Sequence, residues 1–498
     1  MSDTELSPAA FGTAFKAFME AVLLEATTPD GALLERIRTH LGVDPAQLSV
    51  TTEAFDTFDH PNVQVALDHC LSMDGRTAEL AGVGSDHKHY LALGLSDLLS
   101  RGSGNRPPLT EGPVDYVNFH LADGKVLPCV QFGLYLVADG EERFVVFLAG
   151  PHEHGPPDQK LRVEVMATRP EVGQAFLAEL VEDTKRFNVY RGHVISLSPG
   201  ELGMGRQSLV VFHNLPKVER DDLILPEGAL ERIERHTVVF AQHAERLLAA
   251  GRSLKRGLLL HGPPGTGKTL TVMYLTSRMP ERTVVLTTGF GMGLLRLVAQ
   301  LARSLAPAMV VLEDVDLIAE ERGMSFSRTG PLLFELLNEM DGLRDDSDVI
   351  FVLTTNRPDT LEPALAARPG RIDLAVELPL PDAEGRRRLL ELYAKGLELR
   401  DVDFDRLVKQ TEGASPAYIK ELLRKAAVLA AAESAELVVT GAHLEAALAE
   451  FSEGGKRAQR ILGFHPAGDF AREPAVPGRP VAPDPMGTDW VGRGRANR

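Results

Sequence analysis

Cysteine is almost missing from this chain of 498 residues, which has only Cys70 and Cys129. Two thiols argue against a disulfide framework or a structural zinc site, and they fit a reducing cytoplasm. Long apolar runs are missing too. None approaches the roughly 18 residues that suggest a membrane span. The polar, acidic opening Met-Ser-Asp-Thr-Glu-Leu is unlike a signal peptide, so a cytoplasmic protein is expected. Positive charge is in deficit. Lys plus Arg number 53 against 70 Asp plus Glu, for a net charge of −17. That balance favours solubility and disfavours non-specific binding of nucleic acid. What remains is ordinary globular composition, 44% hydrophobic and 25% charged, at a length that calls for two or three domains.

Residues 1–200 mix short helices with strands. Ser7-Pro8 reads as the N-cap and first position of a helix running to about Ala26. Three β-rich runs (114–121, 126–137, 143–148) are separated by Asp123-Gly124 and Asp139-Gly140. Such dipeptides suit the positive φ of tight turns, which predicts an antiparallel meander. A strand at 161–167, a helix from Pro170 to about Asn188 and β-like runs at 193–197 and 208–212 complete an α+β region. Residues 201–256 are a linker and approach. In 257–382, apolar strands alternate with helical segments, the pattern of a parallel sheet covered by helices. Residues 383–452 read as helical throughout, a separate small bundle. The end of the chain, 453–498, differs. Residues 454–498 hold 14 Gly plus Pro, with 8 basic against 4 acidic residues, and predict a disordered tail.

Chemistry concentrates in the parallel-sheet region. The strand Gly257-Leu-Leu-Leu-His261 runs into Gly262-Pro-Pro-Gly-Thr-Gly-Lys-Thr269, and a helix follows from Leu270. Strand, G-x-x-x-x-G-K-T and helix in that order define a phosphate-binding loop. Its glycines let main-chain amides close around phosphates, and the helix N-terminus adds positive potential. Lys268 would meet the β- and γ-phosphates, and Thr269 would offer a hydroxyl to Mg2+. Met309-Val-Val-Leu312 is a second buried-type strand, ending in Glu313-Asp314. An acid there can hold magnesium while its neighbour polarises water.

With these motifs, the Ala306-Pro-Ala308 lead-in and the segment Leu332–Leu343, the chain resembles the AAA ATPase family of the AAA+ superfamily. Thr354-Thr-Asn-Arg-Pro358 and Arg368-Pro-Gly-Arg-Ile-Asp373 extend the likeness over about residues 221–450. The resemblance implies an α/β fold: a P-loop parallel sheet, a C-terminal helical lid over 383–452 and a separate N-terminal α+β domain. It implies ATP and Mg2+ as cofactors. Nucleotide contacts would come from Asp222, Gly262, Pro263, Pro264, Gly265, Thr266, Gly267, Lys268, Thr269, Leu270 and Ala417. Asn356 falls at the family's sensor position. Arg368 and Arg371 fall at its arginine-finger pair, which reaches a neighbour's nucleotide and so requires a homo-oligomer, commonly a hexameric ring. The family usually reads Asp-Glu where this chain reads Glu-Asp. Counting four apolar strand residues assigns magnesium to Glu313 and the general base to Asp314, with slower turnover expected. The order resembles the branch containing the mitochondrial Rieske-protein translocase.

Other features depart from the family pattern. Pro416 replaces a glycine in Gly413-Ala-Ser-Pro-Ala417, Ile224-Leu225 replace a glycine pair, and Tyr393 stands where a lid histidine is common. The segment Phe290-Gly-Met-Gly293 is short for a pore loop and reads as a tight turn, so threading of polypeptide is a weak expectation. No H-E-x-x-H occurs, which excludes the peptidase of the family's membrane-protease branch. His87 with His89 and His152 with His154 lack further ligands and read as loop histidines. The basic tail with Trp490 reads as solvated. The expected function is ATP hydrolysis that remodels a protein client. An ATP-binding scaffold with little turnover is the alternative, and a DNA-associated protein is disfavoured by charge.

Overall fold

The computed structural model describes residues 15–18, 32–84, 94–96, 110–151, 159–197, 210–287, 295–316, 338–340, 346–359, 361, 371–453 and 463–464. Its N-terminal region is built on a seven-stranded antiparallel sheet. The strands are β1 (Val50–Asp56), β2 (Arg76–Gly84), β3 (Thr110–Gly112), β4 (Asp115–His120), β5 (Val126–Asp139), β6 (Glu142–Ala149) and β7 (Lys160–Ala167). They lie in the order β1-β7-β6-β5-β2-β3, and β4 pairs with the first half of β5. The expected meander is present, with positive φ at Asp123 (58°), Gly124 (72°) and Gly140 (57°).

Helix α1 (Ala32–Leu41) covers one face of this sheet; α2 (His60–Leu71) and α3 (Pro170–Arg186) cover the other. Strand β5 is therefore apolar on both sides, and a bulge decides which residue goes where. Asp115 pairs with Phe132 but Tyr116 with Val130, so Gln131 is the extra residue. Beyond it, Phe132, Leu134 and Leu136 pack with α1. Val130, Tyr135 and Val137 pack with α2 and α3.

The second sheet carries the phosphate loop. Its strands are β8 (Val194–Leu197), β9 (Val210–His213), β10 (Arg256–His261), β11 (Thr283–Thr287), β12 (Ala308–Leu312), β13 (Val349–Thr355) and β14 (Leu374–Glu377). The order is β14-β10-β13-β12-β11-β8-β9, all parallel except β9, which is antiparallel to β8. Every residue of β12 and β13 is buried, as expected of parallel strands covered on both faces. Helices α4 (Ala229–Glu234) and α5 (Lys268–Arg278) pack on one face, and α6 (Leu295–Ser304) on the other.

Read along the chain, the runs at 193–197 and 208–212 group with the N-terminal region. Both belong to the parallel sheet. Val194, Ile195 and Ser196 pair with Val284, Val285 and Leu286 of β11, and β9 closes the edge beyond them. An open strand edge has unpaired amides and carbonyls, and β8 supplies their partners while burying Ile195 completely. The N-terminal region is anchored at the same place. The Tyr190 hydroxyl donates to Phe58 O, Val189 N donates to Asn62 Oδ1 at 2.9 Å, and Phe58 and Tyr190 share one core cluster with Ile195 and Val285.

The chain divides into two compact units, residues 1–262 with 267–378, and residues 263–266 with 379–498. The second contains α7 (Ala383–Tyr393), α8 (Phe404–Gln410), α9 (Pro416–Glu433) and α10 (Gly441–Glu453). It is not helical throughout: β15 (Glu398–Arg400) and β16 (Val438–Thr440) form a parallel pair. Arg386 is buried there with its charge satisfied by carbonyls, donating to Pro381 O at 2.9 Å and Val408 O at 3.1 Å. Most of the expected tail, and all of the expected first helix except residues 15–18, lie outside the described residues.

Candidate nucleotide-binding site

The phosphate loop is shaped by glycines whose backbone conformations disfavour any side chain. Gly262 has φ 146°, and a Cβ there would lie 2.2 Å from Leu378 O. Gly267 has φ 99° and forms the N-cap of α5. The helix is anchored as Thr271 donates to Gly267 O from its amide at 2.8 Å and its hydroxyl at 2.9 Å. Lys268, the first helical residue, is buried, and its Nζ donates to Gly262 O at 2.9 Å and Asn356 Oδ1 at 2.7 Å. Burial lowers the Lys268 pKa, while Asp314 and Asp316 act to raise it. Thr269, next on the helix, is exposed.

Two strands over, β12 delivers the acids. Asp314 adopts φ 51°, a left-handed conformation that Asp tolerates better than most side chains. Its amide donates to Thr354 Oγ1 at 3.1 Å, and its Oδ1 accepts from Asn356 Nδ2 at 3.1 Å. Lys268, Asn356 and Asp314 are thus one hydrogen-bonded chain. Glu313 differs. Its amide donates to Thr287 O at 3.1 Å, but its Oε1 is buried without a hydrogen-bond partner among the described residues. A buried carboxylate oxygen left unpaired is costly, and a divalent cation would compensate it. Glu313 and Thr269 therefore fit the magnesium position.

Asp316, which sequence reasoning left without a role, locks the sensor segment. Its Oδ1 accepts from Thr355 Oγ1 at 2.9 Å and Asn356 N at 3.2 Å, and the residue is buried. The signal was available as an acid two residues past the proposed base, but only strand pairing reveals what it meets.

In the lid unit, Ser415 N-caps α9 by accepting from Tyr418 N at 3.2 Å, with Pro416 at the first helical position. Proline suits that position, which accounts for its replacing the family's glycine. Ala417 N donates to Gly265 O at 3.2 Å, and Thr266 Oγ1 donates to Pro263 O at 2.8 Å. The expected nucleotide contacts Pro263, Pro264, Gly265, Thr266 and Ala417 thus lie in one unit. Elsewhere, the Asp222 carboxylate is used locally, accepting from Glu219 N at 2.9 Å in a capping box. Leu270 is half-buried on α5. Arg371 precedes β14, and its carbonyl is so close to Gly257 that a Cβ there would meet it at 2.1 Å. Arg368, Phe290, Trp490 and the histidines at 87, 89, 152 and 154 lie outside the described residues, as does most of 332–343.

Both cysteines are free and buried. Cys70, Glu179 and Asp183 place ligand atoms within 4.8 Å of one another, yet each acid has a partner. Arg76 pairs with Glu179 at 3.2 Å, while His69 at 2.7 Å and the Cys70 thiol at 3.3 Å meet Asp183.

A strand, a glycine loop wrapped before a helix, and an acid-ended strand separated from it by one intervening strand define a P-loop nucleotide-binding fold. Within that class, residues 258–380 match the ATPase family associated with various cellular activities (AAA), and 401–446 match the AAA+ lid domain. The chain thus carries an AAA ATPase domain, whose cofactors are ATP and Mg2+, followed by its lid. One relative is the ATP-dependent zinc metalloprotease FtsH 1 of Thermomicrobium roseum, 36% identical over 244 residues, 46% of this chain and 37% of that protein. FtsH 1 of Sphaerobacter thermophilus is 34% identical over 262 residues, 50% of this chain and 40% of the relative. FtsH of Mycobacterium tuberculosis H37Rv is also 34% identical over 262 residues, 50% of this chain and 34% of the relative. The chain thus spans well under half of each. No described helix is long and apolar enough to cross a membrane.

Proposed function

We propose that this protein hydrolyses Mg-ATP in a homo-oligomer and uses the energy to remodel a protein client. The observation that carries the reading is the chain Lys268–Asn356–Asp314 beside Glu313 Oε1, which has no hydrogen-bond partner among the described residues. Lys268 would exchange its Asn356 partner for phosphate oxygens. That releases the Asn356 amide to orient water between the γ-phosphate and Asp314. Glu313 and Thr269 would hold Mg2+. Arg371 and Arg368 would act on the nucleotide of the neighbouring subunit, where a permanently charged, forked group suits phosphate. A hexameric ring in the cytoplasm is the arrangement we favour, with a Glu-Asp acid pair like that of the Rieske-translocase branch.

The relatives are named zinc metalloproteases, but the matched stretches cover only 37%, 40% and 34% of their lengths, and H-E-x-x-H is missing from this sequence. We therefore assign no peptidase activity. The N-terminal region is suited to client recognition because it continues through β8 into hydrogen bonds with β11, so load on it would reach the ATPase sheet directly.

Asp314→Asn tests the reading. The variant should bind Mg-ATP as the wild type does while phosphate release falls at least about 100-fold, within the range expected for loss of a general base. Wild-type turnover in Asp314→Asn would remove Asp314 from the mechanism. A nucleotide-gated scaffold is the second reading, favoured by the carboxylate of Asp314 being already bonded to Asn356. Absence of phosphate release from assembled wild-type protein would select it.

A further inference from the structure

Gly463 and Phe464 lie beyond the lid stretch that matches the family, yet they return to the start of α9. Ser415 N donates to Gly463 O at 2.9 Å, and Ala414 forms an antiparallel bridge with Phe464. The Phe464 ring lies 5.3 Å from that of Tyr418. Ser415 also touches the phosphate loop. A Cβ added at Gly265 would fall 2.9 Å from Ser415 Oγ, and one added at Gly463 would fall 2.4 Å from the same atom. Both glycines have positive φ, 78° and 88°. Ser415 has little freedom to yield, since its amide is held by Gly463 O and its hydroxyl oxygen caps α9. One serine is therefore packed against a glycine of the phosphate loop and a glycine of the C-terminal segment, and neither glycine leaves room for a side chain.

A glycine-rich loop samples many backbone states, and ordering it around a ligand costs affinity unless something holds it beforehand. We propose that Gly463 and Phe464 are positioning residues for the nucleotide. Docked on Ser415 and Tyr418, they hold the first turn of α9 against Gly265 and keep the phosphate loop in its binding conformation. The proposal rests on the reading of residues 262–269 as an ATP site. Linkage makes it reciprocal: if docking raises nucleotide affinity, nucleotide must strengthen docking by the same factor.

The test uses the full-length chain. Mg-ADP affinity by calorimetry and the KM and kcat for ATP are measured for wild type, Gly463→Val, Phe464→Ala and Phe464→Tyr. Gly463→Val and Phe464→Ala should weaken Mg-ADP and raise KM by roughly 5- to 50-fold, within the usual range for coupled sites. Their kcat at saturation should stay within about twofold, as expected when uniform binding alone is lost. Phe464→Tyr, which keeps the ring, should restore binding. In wild type, Mg-ADP should slow hydrogen exchange at the amides of Gly463 and Phe464. Undiminished affinity in both disruptive variants, or exchange indifferent to nucleotide, would overturn the proposal. A wild-type chain that binds no nucleotide would instead overturn the ATP-site reading, and this inference with it.

Discussion

Asp314 couples backbone conformation to chemistry. At φ 51° it occupies a region that costs most side chains of order 1 kcal/mol, and in which Asp and Asn are enriched. This gives a physical reason for the Glu-Asp order. The shorter acid suits the left-handed position after the strand, and the longer one, Glu313, reaches from the strand end. Asp314→Asn should therefore leave the denaturation midpoint nearly unchanged. Asp314→Ala, which loses both the local preference and the Asn356 bond, should lower stability by about 1–2 kcal/mol. Equal stability of the two variants in urea unfolding would contradict that account. Gly262 and Gly463 follow the same logic, since each faces an oxygen where a Cβ would go.

Among the elements, α2 packs on the first sheet and its Asn62 holds Val189 ahead of β8, and Asp59 and His60 at its start carry opposed pH dependences. Burial pushes the Asp59 carboxyl up to about 6 from an ordinary 3.8, with Asn62's hydrogen bond pulling back. Burial pushes the His60 imidazole, which contacts Val130 O at 2.8 Å, down to about 4 from an ordinary 6.5. Folded His60 holds its proton less tightly than the unfolded chain does. Its contribution is complete above pH 6.5 and is lost as pH falls to about 4. Folded Asp59 holds its proton more tightly. Its contribution is complete below pH 3.8 and is lost as pH rises through about 6. Between those limits the slopes oppose each other. Asp59→Asn should make stability climb more steeply with pH from 4 to 6.5 than in wild type, and His60→Asn should make it decline. Denaturant midpoints across that range provide the measurement, and parallel curves for all three proteins would refute it.

On the scale of the whole molecule, the proposed arginine fingers make activity a property of the assembly. Lys268→Ala subunits keep Arg371 but lose their own phosphate contact; Arg371→Ala subunits do the reverse. Mixed together, the two inactive proteins should recover a fraction of wild-type ATPase activity, whereas separate preparations should remain near background. No recovery in mixed rings would argue that Arg371 acts within its own subunit or not at all. Protomers of net charge −17 repel one another, so assembly should strengthen as moderate salt screens them.

Much of this was readable along the chain. The phosphate loop depends on residues 262–269 being consecutive, and the strand ending at Glu313 on an unbroken apolar run; both are local. The turns at Asp123-Gly124 and Gly140 follow from the positive φ they require. Tertiary structure decided the rest, because those outcomes join distant segments. A short apolar run such as 194–197 can serve any sheet, and it was the open edge of β11 that claimed it. Asp222 is an expected nucleotide contact, but folding engages its carboxylate with the amide of Glu219. Nothing adjacent to Gly463 in sequence announces Ser415, 48 residues earlier, because their meeting is set by how the lid helices pack. Local order fixes what a residue can do, whereas long-range pairing chooses which residues will do it together.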